Sequence, residues 1–267
     1  MRPAAYNGIV GFKPTIGWAP IDGVQPVAPA FDTIGVMARR VDDAAAVAAA
    51  IADDPEAFAV RPAPSRPRIG LLGDAFYDEM APAVRTILTA VVRRFVDAGA
   101  TVESVSAPVA LTRVHAAHRI ITFAQCAAQH ADRYHRDPSR YGRRARELLD
   151  PGLITSDHPG TCLCVHAEDV RRNATERLVD LFHDVDVVVT PVTSGPVPPR
   201  ATTGDSRFQI PWTLCGFPAL ALPSGEARGL PLAVRLVTTP TNEATLLAVA
   251  RWCEQVLDLG LAPAAAR

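Results

Sequence analysis

Lysine is nearly missing from this chain. Of 27 basic residues only Lys13 is a lysine, so a mechanism needing a lysine base within these residues has a single candidate. Alanine is abundant, and the arginine-for-lysine skew reads as genomic composition rather than function. Neither sign of charge is in excess: 27 basic side chains face 28 acidic ones, for a formal net charge of −1. That balance supplies no electrostatic footprint for nucleic acid or an anionic membrane surface. Long apolar runs are missing too. The most apolar stretch, residues 44–52, falls far short of the ~18–20 residues of a membrane span, and residues 1–8 lack the apolar core of a secretory signal. Five scattered cysteines (Cys126, Cys162, Cys164, Cys215, Cys253) are an odd set that suggests no disulfide framework. A reducing, cytoplasmic setting is therefore expected. Cys162-x-Cys164 with His158 and His166 nearby matches no common zinc spacing, and no metal is expected.

What remains is an ordinary globular composition, 48% hydrophobic and 21% charged, at a length that fits one large α/β domain or two small ones. The first forty residues are punctuated by glycine and proline around a short strand, Ile9–Phe12. Val41-Asp42-Asp43 opens a helix reaching about Ala52, its acidic pair placed against the positive end of the helix. Residues 53–67 carry four prolines and read as a surface linker. From residue 68 the pattern runs strand, helix, strand: Ile69–Leu72, then Pro82–Ala98 with Val84, Leu88, Val91, Val92 and Phe95 on one stripe and Gly99 as its stop, then Thr101–Val105. This is a βαβ-like unit and argues for an α/β fold. It carries no G-x-G-x-x-G, so a dinucleotide site has no support.

Residues 109–150 read as helical. His115 and His118 stand one turn apart, where they share a ligand or, the favoured reading, form part of a packed face. The arginines of 140–146 read as a solvated face. A helix is expected over Arg171–Asp184, then a strand, Val185–Thr190, whose valine run suits burial on both faces. A loop over 191–207 follows. Ala219–Pro223 and Leu232–Val237 read as a hairpin-like pair with its turn over Ser224–Pro231, and a last helix opens near Thr241.

The opening run Arg2-Pro3-Ala4-Ala5-Tyr6-Asn7-Gly8-Ile9-Val10-Gly11-Phe12-Lys13-Pro14-Thr15 resembles the segment that follows the catalytic serine in the amidase signature family. The likeness continues through residues 27–39, Asp186–Pro191, Pro211–Leu220, Gly229–Leu232 and Asn242–Leu247, in the family's order. It implies an α/β/α sandwich around a mixed β-sheet, incomplete at the N-terminus, with residues 1–267 forming a partial amidase domain in which 53–67 and 191–207 are internal loops. It also implies hydrolysis of a carboxamide to acid plus ammonia or amine, with no cofactor and a small-molecule amide as partner. The family's chemistry uses a nucleophilic serine, a second serine with a cis peptide and a lysine that starts the proton relay; backbone N–H groups hold the oxyanion. By the family pattern all of these stand upstream of Met1, so no catalytic residue is assigned within this chain and inertness is expected of it alone. The face left by the absent part is expected to favour self-association.

Lys13 reads as a structural residue of the family motif, since no serine precedes Ser65. The adjoining Ser156, Asp157 and His158 cannot chain as a triad, whose members converge from separate elements. Ser224 lacks the G-x-S-x-G context of a nucleophile elbow. Arg2 and Asp32 match charged family positions near the catalytic centre, where a bidentate pair would fix the loop behind the nucleophile. Gln209, Trp212, Thr213 and Cys215 match a block near the substrate pocket, with packing on the sheet as the alternative for Trp212. Two other classes stay open. One is the glutamine-hydrolysing component of a transfer-RNA-dependent amidotransferase, disfavoured because Asp205 stands one residue from that group's acidic position. The other is a non-catalytic binding or scaffold protein.

Overall fold

The computed structural model describes residues 1–72, 79–156 and 162–258. Seven strands, β1 (Val10–Lys13), β2 (Val36–Ala38), β3 (Arg68–Leu72), β4 (Thr101–Val105), β5 (Val187–Pro191), β6 (Ala219–Ala227) and β7 (Leu230–Val237), form one mixed sheet in the order β2-β1-β6-β7-β5-β3-β4. The expected βαβ unit is present. β3 and β4 pair in parallel through helix α3 (Pro82–Asp97), which buries Val84, Leu88, Val91 and Phe95. Gly99 follows it at φ +100, in the left-handed region where a helix ends at no Cβ penalty. β5 runs parallel to β3 and antiparallel to β7, and all its residues are buried, as a valine run between two neighbours and two covered faces requires.

Helices α2 (Val41–Ile51), α3 and α8 (Glu243–Leu257) pack together on one face of the sheet. The short α1 (Arg2–Tyr6) covers the other, against β1, β6 and β7. Small side chains permit that close approach: Ala5, Ala221 and Ala233 cluster there, and a Cβ on Gly11 would stand 2.5 Å from the Ala4 methyl. The architecture is the expected α/β/α sandwich. A helical layer of α4 (Leu111–Arg136), α5 (Arg143–Ser156) and α6 (Cys162–Val179) adjoins it, with α4 packed on α5, α6 and the short α7 (Ile210–Leu214).

Three local expectations change. The helix expected from Arg171 starts at Cys162 and gives way to a 3₁₀ turn at Asp180–Phe182, so Cys164 and His166 belong to a helix. The β6–β7 turn is tighter than expected, because a bulge at Pro223–Gly225 absorbs the proline. There the Ser224 hydroxyl donates to the Leu222 carbonyl at 2.7 Å and accepts from the Val234 N–H at 3.1 Å, standing in for ladder bonds that Pro223 cannot make. Both strands then run on to a two-residue loop, Arg228-Gly229, with φ of 55° and 74°, the mirror-image turn that matches strand twist. Within 53–67, a 3₁₀ turn at Pro55–Phe58 plants Phe58 edge-on against Phe12 at 5.9 Å and Trp18 at 5.4 Å; that segment is anchored to the core.

Candidate functional site

The beginning of the chain is tied to the loop before α7. The Arg2 guanidinium donates to the carbonyls of Thr203, at 3.1 Å, and Gly204. Asp32 instead accepts the backbone N–H groups of Val27 at 2.8 Å and Ala28 at 3.1 Å. The expected Arg2–Asp32 pair is therefore not formed among the described residues. The aspartate is used in closing its own turn, and the arginine finds backbone acceptors in a different loop. Each fixes a loop, without touching the other.

That latched loop leads into α7, whose residues point three ways. Gln209 and Thr213, one turn apart, line a cleft of about 390 Å³ together with Lys13, Thr33 and Met37. Ile210 faces a larger cavity of about 670 Å³ on the side of α4. Trp212 is 1% exposed and packs at 6.0 Å from the Phe217 ring, so packing is the reading that holds for it. Cys215 lies in a third hollow, with Thr175 and Arg171, and burial pushes its thiol up to about 11. The four residues expected around one pocket thus divide between two hollows and the core, because successive residues of a helical turn point ~100° apart.

Behind the smaller cleft lies a cationic stretch that sequence reasoning passed over. Arg235 on β7 is buried and donates to the carbonyls of Phe208 and, at 3.3 Å, Val192. It has no carboxylate partner among the described residues, and burial lowers its pKa to about 9. Its signal in the sequence was a charge at a core-facing position of an otherwise apolar strand. Lys13 donates to the Pro14 carbonyl at 2.9 Å. Burial lowers its pKa to about 8, with Glu243 opposing the shift and Arg235 adding to it. Glu243, buried at the start of α8, accepts the Thr15 N–H at 2.7 Å.

The depressed Lys13 value makes a stability prediction. A folded-state pKa of about 8 against an ordinary 10.5 means that the unfolded chain holds the proton more tightly. The penalty is full below pH 8 and is relieved as the pH rises towards 10.5. Urea melts of the parent chain and of Lys13→Met should therefore differ in slope against pH, the parent gaining of order 2 kcal/mol on the variant across that window. No other lysine titrates there, and the buried thiols, which act in the opposite sense, cancel in the difference. A flat difference would refute the burial of this ammonium.

One stripe of α4 forms the wall of the larger cavity: Thr112, His115, Arg119 and Phe123, with Thr122 beside them, at the three-and-four spacing of a single helix face. His115 Nε2 stands 3.1 Å from the Arg207 carbonyl, so that nitrogen carries the proton. His118 stacks on Phe31 at 4.8 Å, and burial lowers its pKa to about 4, which leaves it neutral at pH 7. The two imidazoles therefore do not share a ligand. Opposite them Arg207 pairs with Asp205 and Glu79, each at 2.5 Å, so Asp205 is already engaged. The arginines of 140–146 are exposed, as expected of a solvated face, and include an Arg143–Glu147 pair at 3.0 Å. Asp157 and His158 lie outside the described residues. Among the described residues no group of three His, Cys, Asp or Glu side chains is placed to hold a metal ion, and no helix is long and apolar enough to cross a membrane.

A mixed sheet between helical layers, with the first helix latched onto the loop between two hollows, is an amidase-type scaffold. The chain matches the Amidase family over residues 1–247 and belongs to the amidase signature family. It is 26% identical to the mandelamide hydrolase of Pseudomonas putida, over 98% of this chain and 57% of that protein. It is 29% identical to the 2-amino-5-chloromuconic acid deaminase of Comamonas testosteroni, over 97% of this chain and 58% of that protein. Glutamyl-tRNA(Gln) amidotransferase is represented as well: its amidase-type component from Marinobacter nauticus is 29% identical, over 96% of this chain and 61% of that protein. A crystal structure of an amidase superposes with a TM-score of 0.86 at 25% identity, covering 96% of this chain and 60% of that one. The chain thus spans about three fifths of the length of the relatives it matches.

Proposed function

We propose that this chain is the rear portion of a serine amidase domain that hydrolyses a carboxamide to acid plus ammonia or amine, and that the larger cavity receives the acyl part of the substrate. The observation that carries this is the Arg2 latch. The family pattern puts the nucleophile just ahead of Arg2, and Arg2 grips Thr203 and Gly204, immediately before the cavity residues Asp205, Ser206 and Arg207. An attacking hydroxyl delivered there stands beside the mouth of the cavity. Arg2 and Asp32 support that loop by orientation alone, and Gln209 and Thr213 face the hollow on the nucleophile's side of α7.

These 267 residues supply neither the nucleophile, nor the relay lysine, nor the oxyanion donors. Losing a single member of a serine relay costs ~10⁴–10⁶ in rate, so the chain by itself releases no ammonia from carboxamides above the buffer rate. Expressed in frame with the coding sequence that precedes its first codon, it gains turnover. Ammonia release by a contaminant-free preparation of the chain alone would sink the inertness, and silence of the longer form would sink the amidase reading. A general amidase is favoured over the amidotransferase component because Asp205 is committed to Arg207 at 2.5 Å.

A further inference from the structure

The larger cavity distinguishes charge as well as shape. It is walled mostly by apolar surface, with Phe123, Leu148 and Ile210 among its residues, and its cationic groups are not equally committed. Arg207 is held by Asp205 and Glu79. His118 is neutral at pH 7, stacked on Phe31. Arg119 sits in the middle of the α4 stripe that faces the cavity, one turn from His115 on one side and from Phe123 on the other. It forms no ion pair with any described residue. A guanidinium without a counter-ion at the rim of a largely apolar hollow is a receptor for a planar anion, which it meets with two parallel N–H donors.

We propose that the substrate amide carries a second acid group, and that Arg119 binds this carboxylate while the apolar wall holds the body between it and the scissile bond. The proposal rests on the reading of the cavity as the acyl site. Binding energy would then come from the ring or alkyl body, with the few polar groups of the cavity setting orientation, as is usual in ligand pockets. The salt bridges at Arg207 meanwhile block a competing mode in which the carboxylate turns towards α7.

The test uses two probes of the same shape, 4-carbamoylbenzoate and terephthalamide, which differ by one negative charge. Their dissociation constants on the intact chain are measured by calorimetry at low salt. We expect the charged probe to bind at least ~10-fold more tightly, a margin that matches one charge-assisted contact, and raised salt to erase it. Arg119→Gln should bring the two probes level without weakening terephthalamide, and Arg119→Lys should restore part of the margin. Equal binding of both probes to the parent chain, or an unchanged margin in Arg119→Gln, overturns the acid-group proposal and leaves the acyl-site reading standing. Failure of both probes to bind overturns the two together.

Discussion

Replacing Trp212 by alanine lowers the melting temperature of the chain by about ten degrees, on the conversion from cavity cost to melting shift that follows. The indole is among the largest fully buried side chains, in a five-residue helix that has little stability of its own. Truncating such a ring costs ~3–5 kcal/mol, part lost transfer energy and part cavity, and in a domain of this size each kcal/mol is worth ~2–4 °C. Trp212→Phe keeps most of the packing against Phe217 and removes an indole N–H that has no hydrogen-bond partner among the described residues, so it costs about 1 kcal/mol. Calorimetric melting of both variants decides between the two roles considered for this residue. A pocket residue would show the reverse pattern, an intact melting temperature with weakened amide binding.

Gly152→Val destabilises the chain by about 3 kcal/mol or more. Gly152 sits where α5 crosses α4, and a Cβ there would overlap the backbone carbonyl of Phe123 and press the Ala127 methyl at 2.8 Å. A backbone atom cannot swing aside as a side chain does, so the helices must part. Overpacking of this kind costs ~1–3 kcal/mol and occasionally more, which outweighs the gain from replacing a helical glycine. Because α4 carries the cavity wall, the same variant weakens binding of 4-carbamoylbenzoate. Gly142→Ala, whose added methyl meets nothing within 4 Å, is the control and stays within ~0.5 kcal/mol of the parent. Urea unfolding of the pair checks both numbers; equal midpoints would show that the helices do not cross closely at Gly152.

Much of the scaffold is legible in the sequence because local pattern and tertiary role agree. The stripe of α3, the glycine that ends it, the valine run of β5 and the acidic opening of α2 each advertise their burial through period or position. Where the two diverge, pattern misleads. The first turns of α6 have no capping signature, so periodicity alone starts the helix at Arg171 although it begins at Cys162. At Ser224 a polar residue after a proline looks like the start of a turn and is the filler of a bulge. The candidate pocket residues are legible as a block, Gln209 to Cys215, yet a block of helix radiates its side chains, and only some of them reach a hollow. Arg119 carries no signal of its own, because an arginine on a helix says nothing until the opposite wall is known.

The sequence by itself determined the family, from motif order, along with the alternation of strand and helix and the structural standing of Lys13. It did so because motifs and periodicity are properties of neighbouring residues. The tertiary structure alone decided that Arg2 holds Gly204 rather than Asp32, that Trp212 faces the core, and that Arg119 has no counter-ion among the described residues. Those outcomes depend on partners far along the chain, 202 residues away for Arg2 and Gly204. A side chain's solvation and pairing are set by whatever the fold brings opposite it.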